Sequence, residues 1–88
     1  MAHYAFLDDS TPPVVTEVIA GNEESTGDWE TFYSNARGQR CLRTSYHGNI
    51  RGNYAGIGYI YLEDLDIFMP PCPGEGYVVE GATWVQGQ

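Results

Sequence analysis

Apolar and polar positions alternate in short runs along most of this chain. His3–Leu7, "HYAFL", alternates small or polar residues with aromatic and aliphatic ones, the two-residue period of a strand. "DDSTPP" (Asp8–Pro13) is a turn by composition, with Asp and Ser for local side-chain bonds and Pro to fix φ. "VVTEVIA" (Val14–Ala20) is β-branched at five of seven positions and reads as the returning strand of an N-terminal hairpin. Further on, "QRCLRTSY" (Gln39–Tyr46) puts Cys41, Arg43 and Ser45 on one face and Arg40, Leu42 and Thr44 on the other. Its polar character suits a sheet edge, where charge discourages edge-to-edge association.

One stretch follows a different period. In "DWETFYSNARG" (Asp28–Gly38), Trp29, Phe32, Tyr33 and Ala36 fall at i, i+3, i+4 and i+7, which predicts a short amphipathic helix over about residues 28–37. Thr26 or Asp28 caps its start, and Asp28 and Glu30 suit the positive end of the helix dipole. Arg37 suits the last turn and Gly38 a left-handed C′ position. Three turns are too few to stand on propensity, so packing of the Trp-Phe-Tyr stripe must hold the helix. A polar connector, Gly21–Gly27, precedes it.

The second half is punctuated by Gly and Pro. "HGNIRGN" (His47–Asn53) is a loop, and His47 in it reads as a solvated loop residue. "GIGYIYL" (Gly56–Leu62) predicts a strand with Tyr59 and Tyr61 on one face and Ile60 and Leu62 on the other. "EDLD" (Glu63–Asp66) is a turn, and "IFM" (Ile67–Met69) returns. "PPCPGEG" (Pro70–Gly76) cannot enter a sheet interior and runs extended over a surface. "YVVEGATWV" (Tyr77–Val85) closes the chain as a tight hairpin around Glu80-Gly81, with Trp84 turned back toward the body. The fold class expected is α+β, mostly β: a small antiparallel sheet or partly open barrel built from hairpins, with one short helix, in a single domain over residues 1–88.

Composition sharpens this. A chain of 88 residues buries only roughly two-thirds of its unfolded surface, so its stability margin is thin. Seven Tyr, three Phe and two Trp offset part of that deficit, because each buries a large area. The net charge of −8 argues against nucleic-acid partners and anionic membrane surfaces. The charges are segregated: residues 1–36 carry seven acids and no base, residues 37–51 carry all four Arg and no acid, and residues 52–88 carry five acids and no base. Arg37, Arg40, Arg43 and Arg51 therefore either pair with the flanking carboxylates within the fold or face a partner's acidic groups, a task Arg performs better than Lys.

Little in the chain points to chemistry. Residues 1–20 hold Asp8, Asp9 and Glu17 with no basic start, so no secretory leader is expected, and no window approaches the ~18 apolar residues of a membrane span. Two free thiols are then the default reading of Cys41 and Cys72, with a bridge between them as the alternative. Cys41, Cys72, His3 and His47 lack the short spacings of a zinc site, and Glu63–Asp66 lacks the ladder of a calcium loop. No G-x-S-x-G, phosphate loop or local nucleophile–base pair is present. Catalytic residues, cofactors and metals are accordingly expected to be none.

The segments "MAHYAFLDD", "VVTEVIAGNEE", "DWETFYSNARGQRCLRTSY" and "GNIRGNYAGIGYIYLEDLDIFMPP", with the late aromatic Trp84, carry a resemblance. In wording and order they are similar to a family of small proteins of tailed bacteriophages, especially those of marine and cyanobacterial hosts. The resemblance covers most of residues 1–71. It departs in two places. The Gly-rich insertion usual after "RTSY" is reduced to "HGN", and the family's "P-x-PSW" after the double proline is replaced by Cys72-Pro73-Gly74-Glu75-Gly76.

The resemblance implies a virion or virion-assembly context. The expectation is a non-enzymatic structural protein, made in the host cytoplasm and carried on the particle. A capsid decoration or cement protein comes first, and a tail- or fibre-associated accessory or assembly chaperone second. Its partners would be the major capsid or a tail protein, or a second copy of itself, with no nucleic acid and no membrane. The residues expected to meet a partner are Arg40, Arg43 and Arg51, for acidic surfaces, and Pro70, Pro71, Pro73 and Tyr77, as a strip lying on a neighbour.

Overall fold

A computed structural model describes residues 2–21, 27–48 and 50–87. The described chain forms seven strands and one helix: β1 (Ala2–Leu7), β2 (Val15–Gly21), α1 (Trp29–Arg37), β3 (Arg40–Thr44), β4 (Ile60–Leu62), β5 (Ile67–Met69), β6 (Tyr77–Glu80) and β7 (Thr83–Gln86). They make three antiparallel sheets, ordered β2-β1-β3, β4-β5 and β6-β7. The mostly-β α+β reading holds; the sheets stay separate and open, and no barrel closes.

β1 is the centre of the molecule because it is apolar on both faces. Its pairing with β2 sets Tyr4 opposite Ile19 and Phe6 opposite Glu17, and its pairing with β3 sets Tyr4 opposite Arg43 and Phe6 opposite Cys41. Ala2, Tyr4, Phe6 and Cys41 form one buried cluster, with Ile19, Trp29 and Tyr33 packed on it; this face carries α1. Ala5 and Leu7 point the other way, into a second cluster with Val15, Ala55, Tyr61 and Phe68, which the 53–69 segment covers. A strand alternating Tyr, Phe against Ala, Leu can thus serve two layers at once.

The helix obeys its sequence signals. Asp28 caps it, accepting from the Thr31 N–H at 3.2 Å and from the Thr31 hydroxyl at 2.7 Å. Gly38 ends it in the left-handed region at φ 66°, donating its N–H to the Ser34 carbonyl. The alternative cap Thr26, and most of the 21–27 connector, lie outside the described residues. The apolar stripe needs correction. Trp29 and Tyr33 are half-buried, but Phe32 is 56% exposed and Ala36 faces solvent. Phe32 packs edge-on against Trp29 and Tyr33, at 5.3 Å each, but among the described residues no further element covers its outer side.

The second hairpin is shorter than the alternation predicts. Only Ile60–Leu62 is strand; Gly58, at φ 91°, belongs to a turn whose backbone instead pairs with the start of β2. Gly58 N–H donates to the Val15 carbonyl, Val15 N–H to the Tyr59 carbonyl and Tyr61 N–H to the Pro13 carbonyl. The two glycines give the chain freedom to leave the strand direction, and tertiary pairing took it. β5 and the Glu63–Asp66 turn lie where expected. Residues 70–76 join no sheet, and β6–β7 turns through Gly81 and Ala82. The molecule is elongated, with principal extents of 46 × 25 × 19 Å.

Candidate functional site

The predicted arginines lie around β3, and the fold uses most of them internally. Arg51, itself at φ 53°, sits beside the free edge of β3. Its Nη1 donates to the Arg43 carbonyl at 2.9 Å and lies 3.2 Å from Glu30, and its Nε donates to Asp66 at 2.9 Å. Glu30 in turn accepts the Arg43 backbone N–H at 2.6 Å. Both edge-facing groups of Arg43 are therefore capped by a carboxylate and a guanidinium that are paired with each other. This blocks the edge more completely than surface charge alone would.

Arg40 stands at the other end of β3. It pairs with Glu63 at 2.6 Å and lies over the Tyr61 ring at 5.2 Å. Arg37 pairs with Glu17 at 2.8 Å and covers Phe6 at 4.5 Å. Arg43 differs from these three: among the described residues its side chain meets no carboxylate, and its buried Nε finds no hydrogen-bond partner. Of the three arginines singled out for a partner, Arg51 is a structural tie and Arg40 an exposed ion pair. Of the three, Arg43 alone makes no ion pair among the described residues.

The Asp66 site shows why Arg51 is a tie. The Tyr61 hydroxyl donates to Asp66. That bond, with Arg51 beside it, holds the Asp66 carboxyl below its ordinary range, while burial and the same bond push the Tyr61 hydroxyl up. A phenol held protonated against a carboxylate held charged is a latch between β4 and the turn that follows it.

The proline strip is elsewhere. Pro71, Cys72, Pro73, Gly74, Glu75 and Gly76 form an unbroken exposed run. Pro70 is half-buried, and its carbonyl accepts the Trp84 indole N–H at 2.6 Å, which turns Trp84 toward the body as its position suggested. Tyr77 is half-buried at the base of β6. The β6–β7 ribbon is further tied by Asn53, whose amide nitrogen donates at 2.8 Å to both the Phe68 and the Ala82 carbonyls. The arginines and the proline strip thus make two separate patches.

A third patch escaped the sequence. His3, Tyr46, His47 and Tyr54 gather their rings, with His3 edge-on to Tyr54 at 5.5 Å and Tyr46 at 5.4 Å from Tyr54 and 5.6 Å from His47. Tyr46 is 68% exposed, and a cavity of about 290 Å³ opens beside it, lined in part by His3, Arg43 and Ser45. No spacing links His3 to Tyr54; the β1–β3 register, which sets His3 opposite Thr44, brings them together. A larger cleft, about 560 Å³, lies between Ser10–Pro13 and Tyr61–Leu65.

Cys41 is buried and Cys72 exposed, and both are free thiols, so the bridge alternative is not realised. Among the described residues, no group of three or more His, Cys, Asp or Glu could hold a metal ion, and no helix is long and apolar enough to cross a membrane. No protein-family model, curated protein or solved structure matches the chain. The class that can be assigned is therefore that of the fold, a small open mostly-β α+β protein.

Proposed function

We propose that this protein is a non-enzymatic structural accessory of a tailed-phage particle, a capsid decoration or cement protein working through protein–protein contacts. The observation that carries this reading is its uncovered apolar surface. Phe32, Tyr46, Ile57, Leu65 and Val78 are each more than half exposed. Large residues left in water on so small a body suit a partner's surface. The exposed Pro71–Gly76 run, whose Pro71 and Pro73 are already fixed in φ before the chain turns at Glu75–Gly76, and the ribbon beyond it add a surface that can lie across a neighbour. The resemblance to small proteins of tailed phages supplies the particle context. Arg43 and the Tyr46 patch are the preferred contact for an acidic or aromatic partner surface, with the major capsid protein as that partner.

Quantitative mass spectrometry of purified particles tests this. Copy number near that of the major capsid protein is the expected result. A few copies per particle would move the protein to the tail or a vertex. Absence from particles, with the protein present in infected cells, would overturn the reading and leave an assembly factor.

A further inference from the structure

We propose that two copies of this chain pair edge to edge through β2, joining their three-stranded sheets into one continuous sheet. The inference comes from which backbone groups point outward. Arg43 gives its N–H and C=O to Glu30 and Arg51, away from β1, so Tyr4 and Arg43 face each other without exchanging bonds. In an antiparallel ladder such pairs alternate with bonded ones. Tyr4 must therefore bond to β2, opposite Ile19, and Phe6 opposite Glu17. Val18 and Ala20, at the intervening positions, then turn their N–H and C=O outward, and among the described residues the sheet carries no strand beyond β2.

The two edges of this sheet are treated differently. The β3 edge is capped at Arg43, and self-pairing there would set Arg40 and Arg43 among their like. Among the described residues the β2 edge is occupied only at its start, where Gly58 and Tyr59 bond Val15. Beyond that, Val18-Ile19-Ala20-Gly21 has no charge, no Pro and no Lys, the devices that ordinarily block an open edge.

A second copy fits because the free groups are self-complementary. Outward-facing residues must oppose outward-facing residues, so Val18 pairs with the partner copy's Ala20 and Ala20 with its Val18. The two-fold axis then passes through Ile19. Each of those pairs exchanges both backbone bonds, and the two Ile19 side chains meet at a non-bonded pair, where side chains come closest and β-branched contacts are favourable. Glu17 faces Gly21 of the other copy, so no like charges oppose each other. The window closes there, since Val15 is already taken. A symmetric, isologous contact of this kind is closed and does not propagate.

The interface is small, so sedimentation equilibrium should span roughly 10 μM to roughly 1 mM. The expected result is a monomer–dimer equilibrium. Amide exchange at Val18 and Ala20 should slow as concentration rises, while that of Arg43 does not change. Ala20→Pro removes an outward N–H without taking any bond from the β1–β2 ladder. It should weaken the dimer by roughly ten- to a hundredfold, since two donors are lost per symmetric pair. Its circular dichroism should match the parent. A chain that is monomeric throughout with concentration-independent exchange overturns the proposal, and so does a dimer that Ala20→Pro leaves intact. The pairing does not rest on the virion assignment: a monomer would leave that assignment standing, and absence from particles would leave the dimer standing.

Discussion

Asn53→Asp is the most direct perturbation of the tertiary assembly. The Asn53 amide nitrogen donates to the Phe68 and Ala82 carbonyls, both at 2.8 Å, in a half-buried setting, while the Asn53 carbonyl accepts from Thr44. The side chain therefore joins β5 to the β6–β7 turn, while the backbone carbonyl of the same residue ties the segment to β3. The substitution keeps the shape and turns the donor into a charged acceptor facing two carbonyl oxygens. Each lost bond is worth about 0.5–1.5 kcal/mol, and the repelled, partly desolvated charge adds to that, giving about 2–4 kcal/mol. A domain of this size has about 5–10 kcal/mol in total, so the loss is a large fraction. At about 4–8 °C per kcal/mol, Tm should fall by on the order of 10–25 °C. Asn53→Ala removes the same bonds without the charge and should cost about 1–3 kcal/mol. The introduced carboxyl, sitting among acceptors, has a folded-state pKa above its unfolded value. The deficit of Asn53→Asp is therefore smallest in acid and grows as pH rises through that folded pKa. Urea unfolding of the three proteins by circular dichroism, at neutral and acidic pH, reads this out. If Asn53→Asp lies within about 0.5 kcal/mol of the parent at neutral pH, or is no worse than Asn53→Ala, the amide is not the donor assigned to it.

Two further outcomes are expected. Tyr61→Phe removes the hydroxyl that holds Asp66 below its ordinary range, so the Asp66 carboxyl should titrate at higher pH by NMR. A depressed folded pKa stabilises above the ordinary carboxylate range and is lost as pH falls through the folded value, so the stability gap between parent and variant should shrink in acid; a gap constant with pH refutes the latch. For the thiols, burial pushes Cys41 up to about 11, with Glu30 adding to it, while Cys72 is exposed. Disulfide-exchange labelling of the native chain at neutral pH should modify one thiol quickly and the second only on unfolding, and two fast thiols would contradict the packing of Cys41 under α1.

The elements whose signals are local were legible in the chain alone. Period-two alternation marked β1, β-branched content marked β2, and the aromatic spacing with Asp28 and Gly38 at its ends marked α1. The Gly-Pro punctuation separated β5 from the β6–β7 hairpin. These hold because backbone geometry and capping act within a few residues. Tertiary structure decided what depends on distant partners. It started β4 late, at Ile60, because Gly58 and Tyr59 found bonds on β2, and it left Phe32 more than half exposed, with no second layer beyond the helix among the described residues. It also sorted the arginines. Their charges were plain in the chain, but which were spent inside depended on Glu17 from β2, Glu30 from α1, and Glu63 and Asp66 from the turn after β4. Arg43 makes no ion pair among the described residues, and its strand position gives its backbone, not its side chain, to Glu30 and Arg51. Pairing across long separations carries no local signature, since the chain encodes the groups and only the register encodes who meets whom.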